Sequence, residues 1–289
     1  MNYRPYCIPC FLRRTLHTAQ IATADEWLHR KVLGEIMGDL TAAADEATPA
    51  EMIHQIFRRT ARTLGMADPY QNEKKRWREE TLSNTGWIRE RVDATADPFF
   101  TALKLAVAAN RLDNELRPIL TLRGLVEGLD EIAFEPENLE AFRDAVGRAT
   151  KVLYVHDTAG ELFFDRLFIE KMGKPREAIS SIVRQQPVFA DATRADAEAI
   201  DLSEVVGEVI DPGIDCLGLP LGECSEACRE RVVAADLVVV KGQAGYQTLE
   251  GQKSLQESGK EVFFLLSVKC PVMASHLGVG LGDLVLERG

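Results

Sequence analysis

The sequence predicts an α/β protein in which a helical N-terminal half packs on a Rossmann-like, three-layer α/β/α half with a mostly parallel sheet. Three observations predict it. Before about residue 150, apolar residues recur at spacings of three and four, and no run reads as a strand. Beyond that point short β-rich runs alternate with segments of helix length, the pattern of a parallel sheet covered on both faces. The chain has 289 residues, room for two units of roughly 150 residues each. The expected division is 1–135 and 136–289, where Pro136 interrupts the pattern.

In the first half, Leu12, Leu16, Ile21, Leu28, Val32 and Ile36 mark one helical segment from Leu12 to Leu40. Thr48-Pro49-Ala50-Glu51 supplies an N-cap, a first-turn Pro and a capping-box Glu. Asp68-Pro69-Tyr70 and Asp97-Pro98-Phe99 are expected to open two further helices, the second Ala-rich and deeply buried. In the second half, strands are expected at 151–156, 178–184, 204–210, 236–241 and 261–267, with an edge strand at 283–287. Helices are expected at 161–172, 225–234 and 246–258.

Composition narrows the function. With 34 Lys plus Arg against 45 Asp plus Glu, the formal net charge is −11, which argues against nucleic acid and anionic lipid as partners. A hydrophobic content of 46% and a charged content of 27% fit an ordinary globular chain. No run approaches the length needed to span a bilayer, and no signal-peptide core precedes Arg14. The chain is therefore expected in the cytoplasm, with its six cysteines as thiols. Protein partners are not specified by the sequence.

Ligands of a doubly wound sheet bind beyond the carboxyl ends of the strands, so three turns matter. His156-Asp157-Thr158-Ala159-Gly160-Glu161 follows the first strand; Asp157 there suits a cation or, equally, a helix cap. Asp191 follows the second strand and could share that cation, or serve as a loop carboxylate. Lys241-Gly242-Gln243 ends the DLVVVK strand, where Lys and a Gly-opened backbone suit a phosphoryl group. The P-loop, GxGxxG, GxSxG and HExxH patterns are absent. Two carboxylates and a Lys at adjacent strand ends are the parts that metal-assisted phosphoryl transfer requires.

At these residues the sequence resembles the damage-control phosphatases, also known as domain-of-unknown-function family eighty-nine. The likeness runs through Cys7-Ile8-Pro9-Cys10, Asp68-Pro69-Tyr70, Asp97-Pro98-Phe99, Ala108 to Asp113, His156 to Glu161 with Phe164-Asp165, Val183-Arg184, Asp191-Ala192-Thr193, Lys241-Gly242-Gln243 and Lys269-Cys270. It implies a divalent cation (Mg, Mn, Co or Ni) and hydrolysis of small phosphorylated metabolites, sugar phosphates or damaged metabolites among them. It implies Asp157 and Asp191 as metal ligands, with Thr158 standing where the family carries Asn as a third. It implies Lys241 on the phosphate, and Asn110, Asp113, Glu161, Gly242 and Gln243 around the substrate. Cys7 and Cys10 are candidates for a second metal or redox site. Ala190, Gly245 and Gln247 also depart from the family pattern, so two alternatives stand beside the phosphatase: an impaired homologue that binds a phosphorylated ligand or a protein, and an S-adenosylmethionine-dependent methyltransferase.

Overall fold

A computed structural model describes residues 4–41, 48–112, 121–252, 255 and 259–289. The N-terminal layer comprises α1 (Cys7–Ala22), α2 (Glu26–Thr41), α3 (Pro49–Leu64), α4 (Gln71–Ser83), α5 (Thr85–Asp93) and α6 (Pro98–Ala109). The segment expected as one helix from Leu12 to Leu40 is two. At the break, the Asp25 carboxylate accepts from the Trp27 amide at 2.9 Å, and the Thr23 hydroxyl accepts from the Asp25 amide at 3.2 Å. Side chains thereby supply the turn's hydrogen bonds in place of a continuing helix. The capping box at Thr48 and Glu51 forms as expected, and Asp97 caps α6. Asp68 does not cap its helix: it accepts from the Tyr70 amide and reaches Lys74, and α4 begins at Gln71.

After α7 (Leu122–Glu127) and α8 (Pro136–Arg148) come β1 (Val152–Val155), α9 (Leu162–Lys171), β2 (Ile179–Ile182), α10 (Arg194–Glu198) and β3 (Glu208–Ile210). Next are α11 (Glu226–Ala234), β4 (Leu237–Lys241), α12 (Gly242–Leu249) and β5 (Glu261–Ser267). A short helix, Pro271–Leu277, and the edge strand β6 (Leu284–Arg288) end the chain. The strand order is β3-β2-β1-β4-β5-β6, parallel except for β6. The expected third strand is shortened, because Asp201 takes a left-handed conformation and Leu202–Glu204 winds into a 3-10 turn. The expected helix from 246 begins at Gly242 instead, directly on the end of β4.

Strand alternation builds the layers. Val152, Tyr154, Val239 and Phe263 face one apolar core with Phe142 of α8, Phe168 of α9 and the buried face of α6. Leu153, Val155, Val240 and Phe264 face the other, with Val232 of α11 and Leu249 of α12. The first core runs from Ile88 to Leu286, across the division expected near residue 135. A third cluster joins α1, α2 and α3 to Tyr70, Phe189 and Leu217, seating the first helices over the strand ends. Among the described residues no helix is long and apolar enough to cross a membrane.

Candidate active site

The order of the strands reverses between β1 and β4, and a doubly wound sheet opens a crevice there. Here that crevice is a cavity of about 370 Å³. Its floor is made by the turns that follow the strands. Asp191 comes after β2, Asp157 after β1, Gln243 after β4, and Lys269 with Cys270 after β5. Its roof is one face of α1, with Cys7, Cys10 and Arg14 at helical spacing.

Backbone hydrogen bonds lock the two acidic turns to each other. The Ala159 amide donates to the Ala190 carbonyl and the Ala192 amide to the Asp157 carbonyl, both at 2.8 Å. Thr158 and Asp191 form an isolated antiparallel bridge. Phe189, two residues before Asp191, sits at φ 48°, a left-handed conformation that costs about 1 kcal/mol or more in a residue with a Cβ. Packing holds it: its ring centroid lies 4.6 Å from that of Phe57, and the Arg14 guanidinium stacks 4.5 Å from it.

Asp157 and Asp191 are 6% and 4% exposed, so what they touch decides their role. Asp157 accepts from the Asn110 amide at 2.8 Å, and its carboxylate lies against the backbone of Gly242. A Cβ added at Gly242, whose φ is +76°, would stand 1.9 Å from Asp157 Oδ2. Only glycine permits that approach. Asp191 accepts from Arg184 Nε at 2.8 Å. Arg184 is buried and also donates to the Gly218 carbonyl, and its Nη2 has no hydrogen-bond partner among the described residues. Gln243 Oε1 is a second buried atom without one, and Gln243 lines the same cavity.

Behind Asp157 runs a fully buried polar network. Asn110 donates from one amide to both Asp157 and Glu161, and its carbonyl oxygen accepts from the Ser267 amide. The Thr158 hydroxyl donates to Glu161 at 2.7 Å. Lys241 Nζ donates to Glu161 at 2.6 Å, Asp165 at 2.7 Å and the Ala106 carbonyl at 2.7 Å. Asp165 also accepts from the Tyr154 hydroxyl and lies 2.8 Å from His156 Nδ1. A carboxylate only accepts, so Nδ1 carries the proton in that pair.

This geometry changes two expectations. Lys241 does not line the cavity: an ammonium has three N–H bonds, and all three are committed to buried protein oxygens. Thr158 turns its hydroxyl to Glu161 rather than toward the two aspartates. Asn110 and Glu161 sit one step behind the cavity wall, Gly242 supports Asp157, and Gln243 faces the cavity. Asp113 lies outside the described residues. Cys7 and Cys10 do line the cavity, together with Cys270, but no three His, Cys, Asp or Glu side chains among the described residues are grouped to hold a metal. Burial pushes the Cys7 thiol up, away from the thiolate that a soft metal would need. Val183-Arg184 is among the stretches that carry the resemblance, but no role is assigned to Arg184 there, and Arg13 and Arg14 carry no motif; the fold sets Arg184 on Asp191 and brings Arg13 and Arg14 to the cavity.

Asp165 makes the network sensitive to acid. Burial pushes its carboxyl up, but Lys241 and His156 outweigh burial and hold it below the ordinary carboxylate range. In the unfolded chain the same group takes up a proton near pH 4. Its contribution to stability is thus present above about pH 4 and is lost as pH falls through the lower folded value. Urea midpoints between pH 5 and 2 are expected to fall less steeply in Asp165→Asn than in the parent. Parallel slopes would remove Asp165 from the acid transition.

Two buried carboxylates in one cavity, beside a neutral amide oxygen with no other partner, form a hard oxygen donor set. That set suits Mg²⁺ or Mn²⁺, which bind through one or two carboxylates and leave positions to water and phosphate. The residues present therefore fit a divalent cation. A cavity with two buried carboxylates at the switch point of a Rossmann-ordered sheet is the layout of an α/β protein that binds small molecules there.

The family model of the damage-control phosphatase ARMT1-like domain matches residues 3–285, and the chain belongs to that family. It is 30% identical over 298 residues to a damage-control phosphatase of Archaeoglobus fulgidus, covering 99% of each chain. It is 29% identical to a damage-control phosphatase of Pyrococcus horikoshii, covering 100% of this chain and 98% of that one. The crystal structure of a DUF89 family protein from Pyrococcus horikoshii superposes with a TM-score of 0.82 at 27% identity, over 100% of this chain and 99% of that one.

Proposed function

We propose that this protein is a divalent-cation-dependent phosphatase of small phosphate monoesters, with the cation held by Asp157 and Asp191. The observation that carries the reading is that these two carboxylates, buried on neighbouring strand-end turns, open into one cavity large enough for a sugar-sized ester. The names of the relatives support the same activity. When bound, a cation polarises the phosphoryl group and makes a water nucleophilic near neutral pH.

The chain's own residues do the rest. Arg184 orients Asp191 through Nε from behind the cavity wall. Asn110 fixes Asp157, and Gly242 lets that carboxylate settle against the backbone. Lys241 holds the charges of Glu161 and Asp165 behind the wall, a positioning role rather than contact with the substrate. The roof of α1 excludes bulk water, which strengthens every charge interaction below it.

A release assay settles the reading. Purified protein, stripped and reloaded with Mg²⁺, Mn²⁺, Co²⁺ or Ni²⁺, is screened against sugar phosphates, with bound metal measured alongside. Phosphate release that requires added cation is expected. Metal uptake without release from any ester would favour the impaired homologue, whose specific support is the Thr158 hydroxyl turned away from the aspartates.

A further inference from the structure

We propose that Gln243 supplies a third protein ligand to the cation through its side-chain oxygen Oε1; this rests on the cation reading above. The position that the resemblance gives to Thr158 is not taken up, because that hydroxyl donates to Glu161 at 2.7 Å. No third Asp, Glu, His or Cys is grouped with the two aspartates among the described residues. A third side-chain donor is therefore a neutral oxygen. Besides Asp157 and Asp191, the side-chain oxygens on the cavity wall belong to Tyr6, Gln243 and Gln247.

Of these, Gln243 is the one whose oxygen is left over. Tyr6 is 78% exposed, and Gln247 lies a full helical turn beyond Gln243 on α12. Gln243 directly follows Gly242, whose backbone lies against the Asp157 carboxylate. Its Nε2 donates to Cys270 Sγ at 3.5 Å, and the same sulfur accepts from the Met273 amide at 3.3 Å. The side-chain amide is thereby turned with its N–H on sulfur. Oε1 is buried and has no hydrogen-bond partner among the described residues. A buried carbonyl oxygen without a donor is costly. Next to two carboxylates an N–H is the favoured group, and a bare carbonyl oxygen is disfavoured unless a positive charge sits between them. Amide oxygens are ordinary ligands of hard cations. With Asp157 and Asp191, Gln243 completes a set of three protein oxygens and leaves the other positions of an octahedral ion to water and phosphate.

The test is calorimetric binding of Mn²⁺ to the full chain, with melting temperatures measured in its presence and absence. Gln243→Met keeps the length of the side chain and loses the oxygen. It is expected to weaken Mn²⁺ binding about tenfold or more, with little change in the metal-free melting temperature. Gln243→Glu turns the same oxygen into an anion. It is expected to bind Mn²⁺ about tenfold more tightly than the parent. Without metal it is expected to melt below the parent, because three carboxylates then repel one another. A glutamine that only packs the wall would leave Kd unmoved in both variants. Kd values within about twofold of the parent in both, or equal losses in both, would overturn the ligand while leaving the cation reading in place. A parent that takes up no Mn²⁺ removes the cation reading itself, and this ligand with it.

Discussion

Asp157→Asn is expected to abolish cation-dependent phosphate release while leaving the fold in place. The substitution keeps the shape of the side chain and removes only charge. A neutral amide is a poorer ligand for a hard cation, so turnover is expected to fall about 10²- to 10³-fold, about 3–4 kcal/mol of barrier. Stability gives an independent reading. A cation that binds only the folded protein at 100 times its Kd stabilises it by about 2.7 kcal/mol. The parent is expected to melt at higher temperature on adding Mn²⁺, and the variant to show little or none of that rise. A variant that keeps full turnover and the full metal-dependent rise would move the cation elsewhere.

Lys241→Met is expected to act first on stability. The ammonium is fully buried, burial lowers its pKa, and Asp165 and Glu161 more than restore it. Removing it leaves two buried carboxylates without their counter-charge, and breaking a buried pair costs about 3–5 kcal/mol. For a chain of this size that is on the order of 10 °C in melting temperature. Pairing the variant with Asp165→Asn is expected to recover part of the loss, because one of the stranded charges goes with it. A Lys241→Met protein that melts with the parent but has lost turnover would return Lys241 to the substrate.

Much of this was legible in the sequence because it is local. The capping box at Thr48 and Glu51, the Asp97 cap and the apolar run of α6 are set by neighbours within four residues, and they appear as read. So do the β-rich runs apart from the shortened 204–210, since a strand buried on both faces announces itself by composition: 237–241 is buried at every position. The breaks were harder. Thr23 and Asp25 divide one periodic stretch through side-chain hydrogen bonds that periodicity does not register. At the site, sequence could set Asp157, Asp191 and Lys241 at strand ends but not tell which way each side chain turns. Lys241 points away from the cavity because Glu161, Asp165 and Ala106 come from two other helices and a helix start. The sequence shows Cys7, Cys10 and Arg184 in motif-like stretches, but that α1 comes to roof the strand-end turns leaves no pattern, because it and those turns are far apart in sequence.

The cavity's roof and floor come from opposite ends of the chain. Cys7, Cys10 and Arg14 belong to the first helix, while Lys269 and Cys270 follow the last parallel strand. A ribosome releasing this chain thus emits one wall of the cavity long before the other exists. Closing so long a loop is entropically slow, and contacts of such sequence separation form late in folding. The strand ends carry both aspartates, but Phe189 beside Asp191 leans on Arg14 of α1 and Phe57 of α3, and the enclosed chamber cannot exist until the helical layer docks. Catalytic competence should therefore lag the return of the sheet during refolding.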